Sequence, residues 1–196
     1  MKVITLNKDA FIDNCKQLIY CVNEKPDIIL GVLNGGGYVL DVINKEADFA
    51  EIQFKKVKLQ RVGTLKRQSR FIKSFLKLLP YSLLNKIRII ESSKAKESIK
   101  ALDLDRLSNT KVDFNITLNY KEKVNSILII DDAIDTGRTM FVIKNNLSKL
   151  FKDAEIKTAV ISWTIENSIV TPDYCMFKNT LVRFPWSIDY KGKDFE

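Results

Sequence analysis

The sequence predicts an α/β protein with a mainly parallel central sheet and helices on its faces. Apolar stretches of strand length alternate with stretches whose apolar residues recur at helical spacing, and this alternation is typical of parallel sheets. The 196 residues are enough for one domain with its own core. Because no repeat and no linker divides them, we expect a single domain over residues 1–196.

The first part of the chain is predicted to contain two helices and two strands. Apolar residues at helical spacing predict a helix over residues 7–22, with Asn7 as its N-cap. A buried strand is predicted over 27–33, a helix over 38–43 after a run of glycines, and a strand over 49–59. These four elements would form one half of a parallel sheet and its covering helices.

The middle of the chain is strongly basic. Residues 55–100 contain 14 Lys or Arg and two Glu, whereas the whole chain has a net charge of +8. A basic loop is predicted over 61–70, followed by two short amphipathic helices over 71–79 and 83–90 that Pro80 separates. Such a block either faces an anion, such as phosphate or nucleic acid, or forms a solvated helical surface.

The remaining elements return to the alternation of strand and helix. Residues 112–118 alternate strictly between apolar and polar, which predicts a strand with one solvated face. A short buried strand is predicted over 127–130, a helix over 139–151 and a strand over 156–163.

Composition excludes several classes of chemistry. The chain has no histidine, which excludes Ser-His-Asp and Cys-His nucleophile pairs and zinc sites of the HExxH type. Its three cysteines form no CxxC pair, so a reducing cytoplasm is the expected location. A membrane span needs about 18 consecutive apolar residues, and no stretch of the sequence comes close to this length. We therefore expect no membrane partner.

The segment 127–139 carries the most specific chemical signal. A buried strand leads into Asp131 and Asp132, and the carboxyl end of a parallel strand is where ligands bind. The following residues, 135–139, combine Gly137, two threonine hydroxyls and a helix start, which suits a phosphate group. Acids beside a phosphate site predict a sugar phosphate with bound Mg²⁺. A P-loop is excluded because Asp132 stands where that motif needs its first glycine.

This segment resembles the motif by which type I phosphoribosyltransferases bind phosphoribosyl pyrophosphate (PRPP). Both have four apolar residues, two acids, two further residues and then Asp-Thr-Gly-x-Thr. The resemblance implies that Asp131 and Asp132 contact the ribose hydroxyls and Mg²⁺, and that Asp135 is catalytic and handles the proton of the base. The implied PRPP-binding residues are Asp131, Asp132, Ala133, Ile134, Asp135, Thr136, Gly137, Arg138 and Thr139.

A second segment, 31–38, resembles the family's pyrophosphate loop. The resemblance implies a non-proline cis peptide between Leu33 and Asn34. The family's mobile flap corresponds here to the basic, partly helical insertion 55–107. The implied pyrophosphate-binding residues are Leu33, Asn34, Gly35, Gly36, Arg61 and Lys66.

The C-terminal segment 164–196 resembles the tail of xanthine-guanine phosphoribosyltransferases, which forms a hood over the base. Pro172-Asp-Tyr174 and Phe184-Pro-Trp186 carry the likeness. The implied base-binding residues are Leu181, Phe184 and Trp186, with Leu181 at the place of the family's stacking aromatic. Phe184 and Trp186 are equally well explained as core residues.

The resemblance implies a Mg²⁺-dependent transfer of phosphoribose from PRPP to a nitrogenous base, with a purine favoured, and a homo-oligomer, usually a dimer. One alternative is a related enzyme with a non-purine base. Another is a PRPP-sensing regulator that binds nucleic acid; the basic block 55–100 favours it, but the chain shows no appended helix-turn-helix domain.

Overall fold

A parallel sheet organises the computed structural model, which describes residues 1–46, 52–59, 76, 78–112, 114 and 123–195. The strands are β1 (Lys2–Thr5), β2 (Ile28–Val32), β3 (Gln53–Val57), β4 (Ser126–Ile134), β5 (Glu155–Trp163), β6 (Tyr174–Lys178) and β7 (Thr180–Arg183). The helices are α1 (Lys8–Tyr20), α2 (Gly35–Glu46), α3 (Tyr81–Ser98), α4 (Leu104–Ser108) and α5 (Arg138–Leu150), with a 3-10 turn at Ile99–Ala101. Five strands in the order β3-β2-β4-β5-β6 form the main sheet, and every pairing is parallel. The predicted fold class is confirmed.

The register of β4 leaves one of its edges open beside the site. Its pairing with β2 ends at Gly31 opposite Ile130, whereas its pairing with β5 continues to Ile134 opposite Trp163. The predicted strand 127–130 was therefore too short. Asp131 and the residues after it remain in the strand but have no β2 neighbour, so their β2 side faces the loop between β2 and α2.

Apolar side chains fill both faces of the sheet. Neighbouring residues of β2 point to opposite faces, with Ile29 in one cluster and Leu30 in the other. Helix α1 covers the first face through residues such as Phe11. Its predicted N-cap is confirmed, because the Asn7 side chain accepts a hydrogen bond from the Ala10 amide at 2.9 Å. Helix α5 covers the second face through residues such as Ile143. The sheet is thus buried on both sides, as expected of parallel strands.

A second, two-stranded sheet joins residues far apart in the sequence. Strands β1 and β7 pair in parallel, from Lys2 opposite Thr180 to Thr5 opposite Arg183. Neither strand was predicted, nor was β6. Each of these three short segments has a Lys or Arg at one end, and none stands in a longer apolar or alternating stretch. This small sheet places β7 beside α3.

Two helices begin or end elsewhere than predicted. Helix α2 begins at Gly35 instead of residue 38, so the glycines form its first turn. The predicted helix 83–90 is part of the longer α3, and Pro80 is its N-cap. Residues 91–98 extend this helix beyond its predicted end. They are mainly polar, so no apolar residues recur at helical spacing there and the sequence did not predict the extension. The predicted elements at 61–70, 71–79 and 112–118 lie wholly or mostly outside the described residues.

No helix in the described ranges combines the length and apolar character needed to cross a membrane.

Candidate active site

A cavity of about 990 Å³ lies at the carboxyl ends of β2, β4 and β5. Its floor includes the loop after β2 and the end of β4. One wall comes from α3, through Arg88, Glu91, Ser92 and Ala95. An adjoining wall comes from β7 and the residues that follow it. This is the sheet edge at which open α/β proteins bind ligands.

Two buried carboxylates lie at the floor of the cavity. Asp131 accepts a hydrogen bond from the Asp132 amide, and Asp132 accepts one from the Ala133 amide, each at 2.9 Å. Burial raises the pKa of Asp132, and the negative charge of Asp135 adds to the effect. The ionised form of Asp132 would therefore be stabilised by a cation.

The glycine loop lies directly against these carboxylates. The Leu33–Asn34 peptide is cis, as predicted. A Cβ atom on Gly35 would lie 1.9 Å from Oδ2 of Asp132. A Cβ atom on Gly36 would lie 2.5 Å from the Ile130 carbonyl oxygen. Only glycine allows this approach. The two segments with family resemblance, 31–38 and 127–139, therefore meet at one place in the fold because glycines stand at the points of contact.

The turn into α5 adjoins the cavity. Gly137 has a φ of +83°, and a Cβ atom there would lie 2.8 Å from the Val170 amide nitrogen. Of the described residues 135–139, Asp135 lines the cavity, and the others follow it in the turn and at the start of α5. The Ile134 side chain is buried in the core beneath α5. Helix α5 begins at Arg138, so its N-terminal amides lie next to the site.

Asp135 has a partner that sequence analysis missed. Its carboxylate is hydrogen-bonded by the hydroxyl of Thr164, a buried residue directly after β5 that also lines the cavity. The same hydroxyl lies 2.9 Å from the Ile134 carbonyl oxygen. Thr164 therefore holds the Asp135 carboxylate at the mouth of the site. The sequence signal that could have identified Thr164 is its position directly after the predicted strand 156–163.

The three predicted base-binding residues, Leu181, Phe184 and Trp186, line the cavity, and the last two also belong to an aromatic cluster. The Phe184 and Trp186 rings stack with centroids 4.8 Å apart and an interplanar angle of 6°. Phe11 of α1 meets Trp186 edge-on at 4.9 Å. The core and site interpretations of these residues are compatible, because the core packing supports the cavity wall.

A buried ionic cluster behind this wall was not predicted. Asp189 accepts hydrogen bonds from Arg88 Nε at 2.9 Å and Nη2 at 2.6 Å, and from Arg183 Nε at 2.9 Å. Arg183 also donates to the Thr5 hydroxyl and to the Asn85 side-chain oxygen. We call Arg88, Asp189 and Arg183 the arginine cluster. The available signal was Arg183 itself, a charge within an apolar run.

The pKa of Asp189 reflects its position between the two arginines. Burial acts to raise this pKa, but the hydrogen bonds and charges of Arg88 and Arg183 outweigh burial and lower the pKa to about 2. Asp189 is therefore ionised at neutral pH.

The remaining predicted site residues, Arg61 and Lys66, lie outside the described residues. Lys58 and Leu59, the described residues nearest to them in sequence, line the cavity. The part of the insertion that the structure describes therefore contributes to the site through these residues and α3.

The donor set at the cavity floor fits Mg²⁺. Mg²⁺ is usually bound by one or two carboxylates, with water and substrate phosphate as its other ligands. Asp131 and Asp132 provide two carboxylates that line the cavity. Among the residues described, no group of three or more His, Cys, Asp or Glu is placed to hold an ion.

Comparison with known proteins identifies a family and a fold. The model of the phosphoribosyl transferase domain matches residues 5–190. The fold is similar to a purine phosphoribosyltransferase from Pyrococcus horikoshii, with 22% identity, 95% of each chain covered and a TM-score of 0.56. It is also similar to a Helicobacter pylori xanthine-guanine-hypoxanthine phosphoribosyltransferase, with 12% identity over 94% of this chain and 90% of that chain and a TM-score of 0.57.

A third similar structure is a hypoxanthine phosphoribosyltransferase from Staphylococcus aureus, with 14% identity, 88% of this chain and 74% of that chain covered, and a TM-score of 0.52. No curated protein matches the sequence. At these identities the structural likeness shows the fold.

Proposed function

Since this chain belongs to the phosphoribosyltransferase family, we propose that it transfers phosphoribose from PRPP to a nitrogenous base in a Mg²⁺-dependent reaction that releases pyrophosphate. The observation that carries this proposal is the contact between the glycine loop and the buried carboxylates. Gly35 approaches Asp132 so closely that no side chain fits between them. A ribose with a pyrophosphate leaving group needs carboxylates for its hydroxyls and for Mg²⁺, and next to them it needs a backbone loop that can bind the pyrophosphate.

The residues of the floor have distinct roles in this proposal. Asp131 and Asp132 bind the ribose hydroxyls and hold Mg²⁺. The segment from Leu33 to Gly36 binds pyrophosphate through its backbone, and the turn 135–139 binds the 5′-phosphate at the start of α5. When bound, Mg²⁺ would neutralise negative charge on the pyrophosphate as the bond to the sugar breaks. Arg61 and Lys66 in the insertion 55–107 stay proposed as a cover over pyrophosphate.

Asp135 is the proposed acid–base residue. The base nitrogen bonds to the sugar carbon while pyrophosphate leaves, and the nitrogen then loses a proton that a nearby carboxylate can accept. Thr164 holds the Asp135 carboxylate in one orientation. Because Asp135 is exposed at the cavity, its carboxylate can exchange the proton with solvent afterwards.

The acceptor base is proposed to lie against Leu181, Phe184 and Trp186. A purine is the first candidate, because the similar solved structures carry the names of purine enzymes. A non-purine base is the second candidate, and Leu181 favours it because an aliphatic side chain replaces the family's stacking aromatic. The homo-oligomer and the cytoplasmic location stay predictions.

The proposal is tested by pyrophosphate release from PRPP and Mg²⁺ with guanine, xanthine, hypoxanthine, adenine, uracil, orotate or no base. We expect release that depends on one base. PRPP binding without release would support a sensor instead, and salt-dependent nucleic-acid binding would then identify the regulator. Neither binding nor release would contradict the proposal.

Asp135→Asn tests the acid–base role. We expect kcat to fall by about 100-fold or more, with PRPP affinity retained in calorimetry. Asp153→Asn, which removes an exposed carboxylate beyond the end of α5, is the matched control and should keep the wild-type kcat. An unchanged kcat in Asp135→Asn would remove the role.

A further inference from the structure

One face of α3 forms a cavity wall to which the proposed reaction has given no role. Arg88, Glu91, Ser92 and Ala95 all line the cavity, and their spacing places them on one face of the helix. This wall adjoins β7, because Arg88 donates to the Val182 carbonyl, and Leu181 of the proposed base-binding side is the neighbouring residue in that strand. The space for the acceptor is therefore bounded by α3 as well as by the C-terminal segment.

The arginine cluster behind this wall has unequal charges. It contains two guanidinium groups and one carboxylate, so it has a net charge of +1 at neutral pH. Arg183 is 1% exposed, and its donors are directed to Asp189, Thr5 and Asn85. The Arg88 side chain is 21% exposed and lines the cavity. Arg88 is therefore the group through which the cluster presents positive charge to a ligand.

The Arg88 guanidinium is fixed in place before any ligand binds. Two of its N–H groups donate to the two oxygens of Asp189, and Nη1 donates to the Val182 carbonyl at 3.3 Å. The other two N–H groups have no partner among the described residues. One of these N–H groups is on Nη1 and the other is on Nη2, and guanidinium N–H groups make strong hydrogen bonds to a carboxylate or to an acidic oxo group.

The other charges at the cavity are placed differently. Asp131 and Asp132 lie at the end of β4, where PRPP and Mg²⁺ are proposed to bind, whereas Asp135 faces the acceptor as the proposed acid–base residue and is exposed. Glu91 and Lys58 are exposed, so solvent screens their charges more strongly than that of Arg88. Among the charged residues that line the cavity on the acceptor side, Arg88 is thus the least solvated, and its charge is positive.

We propose that Arg88 determines the specificity for the acceptor by binding an acidic substituent of the base, either a carboxylate or an acidic oxo group. This inference rests on the proposed function and narrows its substrate class to acidic heterocycles. Asp189 acts as a positioning residue, because it orients the guanidinium without contacting the base. Among the bases of the panel, orotate and xanthine have this chemistry.

The test compares two pairs of ligands that differ in acidity: orotate with uracil, and xanthine with hypoxanthine. Calorimetry with the full chain, Mg²⁺ and a non-reactive carbocyclic analogue of PRPP measures each affinity without turnover. We expect the acidic member of at least one pair to bind about tenfold or more tightly than its neutral partner, as a charge-assisted hydrogen bond would provide.

Arg88→Gln should abolish this preference, by weakening the acidic ligand about tenfold or more and changing the neutral one by less than about twofold. Lys86→Gln removes a positive charge from an exposed position of the same helix and should keep the preference. If Arg88→Gln fails to fold, Arg88→Lys keeps the charge without the planar fork and should reduce the preference by about threefold or more.

The inference is overturned if neither pair shows a preference, or if the preference survives in the Arg88 variants. Its failure is distinct from failure of the proposed function. Pyrophosphate release with a neutral base, unaffected by Arg88→Gln, would keep the transfer reaction and reject the role of Arg88. An Arg88-dependent preference without pyrophosphate release by any base would keep the role of Arg88 and reject the transfer reaction.

Discussion

Replacing Gly35 by alanine should disturb the geometry of the site while changing the stability of the fold very little. The added Cβ atom would lie 1.9 Å from Oδ2 and 2.1 Å from Cγ of Asp132, whereas ordinary van der Waals contact begins at 3.4 Å. A movement of about 1.5 Å is therefore needed. The carboxylate is the end of a side chain, so it can rotate away, but rotation breaks its 2.9 Å hydrogen bond with the Ala133 amide.

The cost of this rotation to the fold is small. The lost hydrogen bond contributes about 1 kcal/mol, and replacing glycine by alanine in a helix returns up to about 1 kcal/mol. We expect the free energy of unfolding in urea to change by about 1 kcal/mol or less. PRPP binding with Mg²⁺ should weaken about tenfold or more, because the displaced Asp132 no longer faces the ligand. Calorimetry with PRPP and Mg²⁺ measures the second effect.

Gly37→Ala is the matched control in the same turn of α2. Its Cβ atom would lie 2.6 Å from Cδ2 of Leu33, with the next atom 4.0 Å away. The end of a leucine side chain can give way, so both stability and PRPP affinity should stay near the wild type. Wild-type affinity in Gly35→Ala, or an equal loss in Gly37→Ala, would refute the reasoning.

Three further predictions concern the fold that supports the site. Asp189 has a pKa of about 2 when folded and about 4 when unfolded, so its contribution of about 2 kcal/mol is present above pH 4 and is lost as the pH falls towards 2. The stability gap between the wild type and Asp189→Asn in urea should narrow over that range, and a constant gap would count against the ion pairing. Gly137→Ala should lower the free energy of unfolding by about 1–2 kcal/mol, because its φ is +83° and its Cβ atom would approach Val170; a loss below about 0.5 kcal/mol would mean that the turn relaxes. Phe11→Ala should cost about 3–5 kcal/mol and shift the fluorescence of Trp186, whose ring it contacts, whereas an unshifted spectrum would show that the aromatic wall stands without it.

Local patterns explain what the sequence could predict. The helix capped by Asn7 and the segment 127–139 are encoded by residues close together in the chain, so spacing and turn chemistry reveal them. The parallel direction of the strands also follows from alternation, because a helix between two strands returns the chain to the same end of the sheet. The fold class and the location of the site at one sheet edge were accessible for this reason.

Tertiary pairings explain what could not be predicted. Arg88 and Asp189 are 101 positions apart, and no spacing rule links a helix in an insertion to a turn near the other end of the chain. Thr164 binds Asp135 across neighbouring strands, so its role depends on the register of β4 and β5. The short strand β7 lacks a period, which concealed both its pairing and the burial of Arg183.

The pairing of β1 with β7 has a consequence for the synthesis of the protein. Thr5 and Arg183 are 178 positions apart, and at about 5–20 residues per second a ribosome would need roughly ten to forty seconds between them. During that interval β1 would have no partner strand, and the acceptor wall would be missing. The PRPP-binding residues, which end at the start of α5, would be synthesised before the C-terminal part of the acceptor side. The donor-binding residues would therefore all be synthesised before Leu181, Trp186 and Asp189 of the acceptor side.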